Sequence, residues 1–220
     1  MAIPLQSPDY SCISKRAKQA NIQYRLPSQG PVAHLVIDAT GLKVYGEGER
    51  KVRKHGKEKR RVWHKLHLAV DVQTHAIVAA KVSLETVGDN EVLPTLLNRL
   101  RRKIELVSAD GAYDNKECHA ILKKKGTRAT IPPRKNAALW EEGYPRNEAV
   151  KALKAGELKE WKRSSGYHQR SKAETAMYRF KQFISSKLSL RNYNAQVGEV
   201  LAGVKAMKKM MVLECLSGSR

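Results

Sequence analysis

The sequence predicts an α/β fold in which helices flank one mixed, five-stranded sheet. Three strand-like segments follow one another early in the chain, which favours an antiparallel meander. Two further strand-like segments alternate with helical segments, which favours parallel additions to the same sheet. Hydrophobic residues form 41% of the 220 residues, enough for a packed core.

The predicted meander opens with a buried strand. Residues 33–38 (AHLVID) are apolar and β-branched, and they end in Asp38 just before a turn-prone Thr40-Gly41 pair. We expect the next two strands at 62–70 and 76–82. In the first of these, polar and apolar residues alternate, so one face is expected to be polar and to carry Trp63, Lys65 and His67.

The other elements follow from helical spacing and short apolar runs. We expect helices at 90–103, 115–125, 171–188 and 196–213, partial helix at 147–159, and strands at 105–109 and 129–131. This order is the arrangement of a ribonuclease-H-like domain. We therefore divide the chain into an irregular lead-in (1–30, with a short helix near 15–21), a ribonuclease-H-like domain (31–213) and a C-terminal tail (214–220).

The charge balance indicates a polyanionic partner. The chain has 42 Lys and Arg against 21 Asp and Glu, a net charge of +21. Such an excess favours nucleic acid and argues against free cationic or neutral metabolites as substrates. The run 50–61 (RKVRKHGKEKRR) is either a solvated loop or a nucleic-acid contact. Candidate DNA contacts here are Arg53, Lys54, Arg60, Arg61 and Lys65.

Other sequence features concern the compartment. The chain has no apolar run of the roughly 18 residues that a membrane span needs, and its first residues lack a secretory signal pattern. Its 3 cysteines are scattered, with no C-x-x-C pair, which argues against a disulfide framework or a zinc ribbon. We expect a reduced cytoplasmic protein without a membrane partner.

Two acids stand at the ends of predicted strands. Asp38 closes the first strand and Asp110 closes the strand at 105–109, so in a mixed sheet they can lie side by side at one edge. Adjacent carboxylates repel unless a cation intervenes. Mg²⁺ or Mn²⁺ prefers oxygen ligands, and a third acid would complete a two-metal site. Alternatively, each acid simply caps a turn.

A candidate third acid, Glu174, lies within a helical pattern. Tyr167, Arg170, Glu174 and Lys181 are spaced by 3, 4 and 7 residues, close to one and two helical turns. One stripe would thus carry an acid for a cation, two basic groups for phosphate and a phenol for phosphate or a base. The alternative is a solvated helix face with an ordinary Arg170–Glu174 ion pair.

These residues resemble the motifs of a known family. Tyr167-x2-Arg170-x3-Glu174-x6-Lys181 is similar to the Y-x2-R-x3-E-x6-K signature of bacterial insertion-sequence transposases of the DDE type, in their IS-five-like branch. The segments 36–46 (VIDATGLKVYG) and 109–114 (ADGAYD) resemble the first-acid and second-acid segments. The three motifs occur in the family's order.

The resemblance implies a function for each motif. Asp38, Asp110 and Glu174 would be catalytic and would hold two Mg²⁺ or Mn²⁺ ions, while Tyr167, Arg170 and Lys181 would contact DNA near the transferred end. The enzyme would cut a phosphodiester at the transposon end, and the freed 3′-OH would attack target DNA. Its partners would be double-stranded terminal repeats and target DNA, bound by a homo-oligomer on paired ends at the bacterial nucleoid.

The first acid stands only 38 residues into the chain, whereas the family carries a longer N-terminal stretch for repeat recognition. We therefore expect an N-terminally truncated copy, whose activity is open. Two alternatives remain. A stand-alone ribonuclease-H-like nuclease would cleave without joining, and a non-catalytic basic nucleic-acid-binding protein would bind without metal.

Overall fold

The computed structural model describes residues 9–19, 30–44, 63–98 and 100–217. In these ranges the strands are β1 (Val32–Val44), β2 (Trp63–Asp71), β3 (Ile77–Leu84), β4 (Ile104–Ser108), β5 (Arg128–Thr130) and β6 (Lys187–Leu188). The helices are α1 (Tyr10–Gln19), α2 (Asp89–Asn98), α3 (Lys116–Lys124), α4 (Arg146–Lys154), α5 (Leu158–Ser164), α6 (Ser171–Phe183) and α7 (Tyr193–Ser217). Short 3₁₀ turns span Gly111–Tyr113 and Tyr167–Arg170.

All six strands belong to one mixed sheet. Its order is β3-β2-β1-β4-β5, and β6 pairs with the far end of β1. β1, β2 and β3 are antiparallel neighbours, whereas β4 and β5 add in parallel. The predicted ribonuclease-H-like arrangement of a three-stranded meander and two parallel strands is confirmed, and β6 is an addition that the prediction lacked.

β1 continues beyond its predicted end. Asp38 lies in the middle of the strand rather than at its end, because antiparallel pairing with β2 extends to Lys43 opposite Trp63. Gly41 allows this pairing, since a Cβ there would stand 3.3 Å from Cε3 of the Trp63 indole ring. The prediction took Thr40-Gly41 for a turn, but the glycine instead admits a large aromatic side chain from the neighbouring strand.

The helix predicted at 171–188 is shorter than expected. α6 ends at Phe183, and the backbone then turns so that the Ser185 hydroxyl oxygen accepts from the Lys187 amide at 2.9 Å. Lys187 and Leu188 pair in parallel with the end of β1. Tertiary strand pairing therefore overrides the apolar helical spacing in this segment.

Both faces of the sheet are buried. One core, which includes Ile37 and Ala69, lies between the sheet and α2 and α3. The other, which includes Val36 and Leu68, lies beneath α6 and α7. The predicted polar face of β2 is therefore wrong at His67, which is 0% exposed and bonded through Nε2 to the Ser83 hydroxyl at 2.8 Å.

Three smaller differences concern the helices. α1 begins earlier than the helix predicted near 15–21, and it contacts α7. The partly helical region predicted at 147–159 forms two helices, divided at Gly156 with a φ of 78°. Within the described ranges, none of the helices has the length and apolar character required to cross a bilayer.

Candidate active site

The strand register brings the first two acids level with each other. β1 and β4 pair in parallel up to Val36 opposite Ser108, so Asp38 and Asp110 each lie two residues further along adjacent chain segments. Because side chains alternate along a strand, Asp38 shares the sheet face of Val36, which is covered by α6 and α7. The sequence-based expectation that neighbouring strands carry these acids agrees with this register.

Asp110 sits on a turn rather than on a strand. Its Oδ1 accepts from the Ala112 amide at 2.9 Å and caps the 3₁₀ turn that starts at Gly111. A Cβ at Gly111 would stand 3.3 Å from the carbonyl oxygen of Pro132. The glycine thus lets the segment after β5 pack directly against the turn that carries the second acid.

The third acid comes from the junction of a 3₁₀ turn and a helix. Gly166, with a φ of 73°, precedes the turn Tyr167–Arg170, and α6 begins at the next residue. A 3₁₀ turn has three residues per turn, so Tyr167 and Arg170 project from the same side. Glu174 follows one α-helical turn later. The predicted stripe therefore forms, although its first turn is 3₁₀ rather than α-helical.

Arg170 connects two of the acids. Its Nη1 donates to Asp38 Oδ2 at 2.6 Å, and its Nη2 donates to Glu174 Oε1 at 2.5 Å. The Asp38 and Arg170 side chains are mostly buried, whereas the Glu174 side chain is 54% exposed. One guanidinium therefore lies between a carboxylate on β1 and a carboxylate on α6.

The acids share one electrostatic environment. Burial raises the pKa of Asp38, while the Ala39 amide and the Arg170 guanidinium oppose that rise. The nearby carboxylates of Asp110 and Glu174 raise the pKa of Asp38 further. Asp38 is thus close enough to each of the other two acids to be repelled by it, and Arg170 supplies a compensating positive charge.

The donor set fits a hard divalent cation. Three carboxylates provide the oxygen ligands that such a cation prefers, and the guanidinium between Asp38 and Glu174 stands where positive charge is needed. Within the described residues, however, no group of three or more Asp, Glu, His or Cys side chains is arranged so that it could hold a metal ion. In this arrangement the Arg170 guanidinium lies between the Asp38 and Glu174 carboxylates, so a cation at this site would have to displace it.

The two other residues of the stripe have different surroundings. Tyr167 is half-buried, and burial raises its pKa. Its ring is flanked by Lys162 Nζ at 5.3 Å and the Arg170 guanidinium carbon at 5.9 Å from the ring centroid. Lys181 lies two helical turns beyond Glu174, about 10 Å along the helix axis.

The structure does not bring Lys65 to the acids. Lys65 pairs with Gly41 of β1, so it lies on the opposite sheet face from Asp38. Its ammonium donates to Asp89 at 3.0 Å and to the Val87 carbonyl at 3.0 Å. A cavity of about 250 Å³ on that face is lined by residues that include Trp63, Lys65 and Glu85. Arg53, Lys54, Arg60 and Arg61 lie outside the described residues.

Sequence reasoning missed a buried ion pair beside the second acid. Arg146 donates through Nε and Nη2 to both oxygens of Asp114, the second of these contacts at 2.7 Å. These hydrogen bonds help to lower the Asp114 pKa to about 2, although burial, its largest influence, acts in the opposite direction. The Arg146 guanidinium carbon also lies 4.0 Å from the centroid of the Trp140 ring. Asp114, the last residue of the ADGAYD segment, was the sequence feature that could have indicated this pair, but its partner Arg146 is 32 residues away in the chain.

Arg134 also contacts the turn that carries Asp110. Its guanidinium donates to the Gly111 carbonyl at 3.2 Å and to the Ala112 carbonyl at 3.3 Å, while its amide donates to Asp114 at 3.3 Å. The turn is therefore held by two arginines that follow β5 in the chain.

A family model described as the transposase DDE domain matches residues 31–207. This chain belongs to that family. A second model with the same description matches residues 1–47. The chain is thus a transposase DDE domain, and this family generally uses divalent metal ions. The matched region includes Asp38, Asp110 and Glu174.

Solved structures also show similarity to this transposase domain. The piggyBac transposase, in a cryo-EM synaptic complex with hairpin DNA, is 11% identical with a TM-score of 0.47; the match covers 86% of this chain and 49% of that one. The catalytic core domain of BIV integrase is 10% identical with a TM-score of 0.38, covering 86% and 99%. The chain thus spans about half the length of the piggyBac transposase.

Proposed function

We propose that this transposase domain cuts a phosphodiester at a transposon end and joins the resulting 3′-OH to target DNA. The observation that carries the proposal is the convergence of Asp38 and Glu174 on Arg170, next to Asp110. Membership of the transposase DDE domain family supports a common role for these three acids. The proposed catalytic domain spans residues 31–213.

Asp38, Asp110 and Glu174 are the proposed ligands for two Mg²⁺ or Mn²⁺ ions. Such ions, when bound, activate the attacking oxygen and stabilise the leaving oxygen of the phosphodiester. Asp38 is fixed by strand pairing, Asp110 by its turn and Glu174 by α6, so the protein supplies ligands from three separate elements.

Arg170 has a second proposed role in binding phosphate. A guanidinium matches two oxygens of a phosphodiester as well as it matches a carboxylate. DNA that enters the site can therefore take over Arg170 from Asp38 and Glu174. Lys181 would contact a neighbouring phosphate further along α6, and the Tyr167 hydroxyl would donate to the backbone near the transferred end.

The proposed partners are double-stranded transposon ends and target DNA, bound by a homo-oligomer on paired ends at the bacterial nucleoid. The net charge of +21 supports a DNA partner. The basic run 50–61, with Arg53, Lys54, Arg60 and Arg61, is proposed to contact the DNA backbone. Lys65 is a weaker candidate because it is paired with Asp89 on the other sheet face.

The test is a nicking and strand-transfer assay on DNA that carries the sequences flanking the gene of this chain. We expect Mg²⁺- or Mn²⁺-dependent nicks and joined products, both lost in Glu174→Gln. Glu160→Gln is the matched control, because Glu160 is also an exposed helical acid paired with an arginine. Cleavage without joining would favour a stand-alone nuclease. Salt-sensitive binding without any cleavage would favour a non-catalytic binder.

A further inference from the structure

Tyr178 is a largely solvent-exposed aromatic residue on α6, the helix that also carries Glu174. It is 65% exposed, more than any other large hydrophobic residue described. Within the described residues, its ring makes no stacking, cation or hydrogen-bonding contact. Most of this ring is therefore accessible to a ligand that approaches α6 from solvent.

The position of Tyr178 on the helix relates it to the active site. It follows Glu174 by four residues and precedes Lys181 by three. At about 100° per residue, Tyr178 and Lys181 lie roughly 40° and 20° to either side of Glu174. The axial distance from Glu174 to Tyr178 is about 6 Å. Tyr178 therefore stands on the same stripe as the third acid, on the side away from the core.

The other aromatic residue of this stripe is less available for stacking. The Tyr167 ring is half-buried and has Lys162 and Arg170 against it. The Tyr178 ring is largely open to solvent, and its helix carries the cations Lys172, Arg179 and Lys181 against the single acid Glu174. An aromatic ring among cations is the usual platform for an unpaired nucleobase.

We propose that Tyr178 stacks on an unpaired base of the DNA strand that the catalytic site holds. The base would belong to a nucleotide close to the phosphodiester that the proposed site holds beside Arg170 and Glu174. This inference rests on the proposed function for the identity of the ligand. It adds a base-contacting residue that the Tyr-Arg-Glu-Lys signature does not include.

The test measures binding of the full chain to a short DNA duplex with a single-stranded 3′ extension, in EDTA so that no cleavage occurs. Tyr178→Ala is expected to weaken binding roughly 5- to 150-fold, the range set by losing one base–aromatic stack. Tyr178→Trp should bind at least as well as wild type, because stacking needs a ring and not the hydroxyl. A blunt duplex should bind wild type and Tyr178→Ala equally, since its bases are paired.

Phe183→Ala is the matched control. Phe183 is a 54% exposed aromatic residue on the same helix, but its position is roughly 180° from Glu174 around the axis. Its removal should leave binding within about twofold of wild type, well below the loss of one stack. Equal losses in Tyr178→Ala and Phe183→Ala would overturn the proposal, because they would reflect general surface hydrophobicity.

An abasic scan of the extension locates the stack. One abasic position should weaken wild-type binding as much as Tyr178→Ala does, and should not weaken the binding of Tyr178→Ala further. Additive losses at every position would overturn the proposal. If this coupling is found but cleavage is absent, the proposed function fails while the stacking role stands. If cleavage is found without coupling, only the stacking role fails.

Discussion

Arg170 donates to Asp38 across 132 positions of sequence, over a distance of 2.6 Å. The same guanidinium also holds Glu174. The positive charge that two of the acids require is therefore supplied by the protein itself. A cation entering the site must compete with Arg170 for these carboxylates.

Removal of Arg170 is expected to strengthen the response to divalent cations. In Arg170→Gln, the thermal stabilisation by Mg²⁺ in the absence of DNA should exceed that of wild type, because the carboxylates lose their internal counter-charge. Differential scanning fluorimetry across a Mg²⁺ titration measures it. Arg163→Gln, which breaks an exposed ion pair with Glu160, should behave like wild type. A smaller thermal stabilisation by Mg²⁺ in Arg170→Gln than in wild type would contradict the idea that Arg170 competes with Mg²⁺ for the carboxylates.

Arg146→Ala is expected to destabilise the fold strongly. It leaves the Asp114 carboxylate buried without its bidentate partner, which costs on the order of 3–5 kcal/mol in the free energy of unfolding. Urea unfolding at neutral pH measures the loss. Lys116→Ala, which breaks the exposed pair with Glu141, should change the unfolding free energy far less. Similar losses of unfolding free energy in both variants would show that the buried Arg146–Asp114 pair stabilises the fold no more than the exposed pair does.

His67 makes stability depend on pH. Burial lowers its pKa to about 4, whereas the unfolded chain titrates near 6.5. The unfolded state thus binds the extra proton first, so stability falls as the pH drops from about 6.5 towards 4 and is fully present above that window. The loss attributable to His67 should be about 2 kcal/mol between pH 7 and pH 5.

The measurement compares urea unfolding of wild type and His67→Gln at several pH values. The introduced side-chain amide would retain a hydrogen-bonding group for Ser83 without a titrating ring. The variant should therefore lose less stability than wild type on acidification. Parallel pH profiles for the two proteins would refute the assignment to His67.

Gly203→Ala tests the packing of α7 against α6. A Cβ at position 203 would lie 2.7 Å from Ile184 Cγ2 and 3.1 Å from Phe180 Cε2, closer than packed atoms allow. We expect a loss of about 1–3 kcal/mol by overpacking, despite the gain in helix propensity. Introducing Gly203→Ala into an Ile184→Ala background should cost less, because removal of the nearest side chain leaves room for the added methyl group. A larger cost in that background would contradict this packing.

The sequence was sufficient to predict the parts of the site that depend on local spacing. The order of strands predicted that Asp38 and Asp110 lie on neighbouring segments, and the 3-4-7 spacing predicted the stripe through Glu174. The same spacing indicated the Arg170–Glu174 ion pair, which forms, but the sequence could not predict ion pairs between distant residues. The Arg170–Asp38 and Arg146–Asp114 pairs join residues far apart in the chain, so no periodicity reports them.

The sequence also could not predict which side chains other elements would bury. His67 has polar neighbours in alternation, which is typical of a solvated strand face, yet α2 covers it. The apolar spacing up to Leu188 is likewise compatible with a helix or with the edge strand that forms. In both places the deciding energy comes from contacts with distant elements rather than from the segment itself.

The first two acids are anchored by different kinds of structure. Asp38 belongs to a long strand that is paired with β2 on both sides of it in sequence, whereas Asp110 rides on a three-residue turn beyond the end of β4. The position of the first acid therefore depends on the pairing of the sheet, whereas the position of the second depends on the contacts that Arg134 and Gly111 make around its turn.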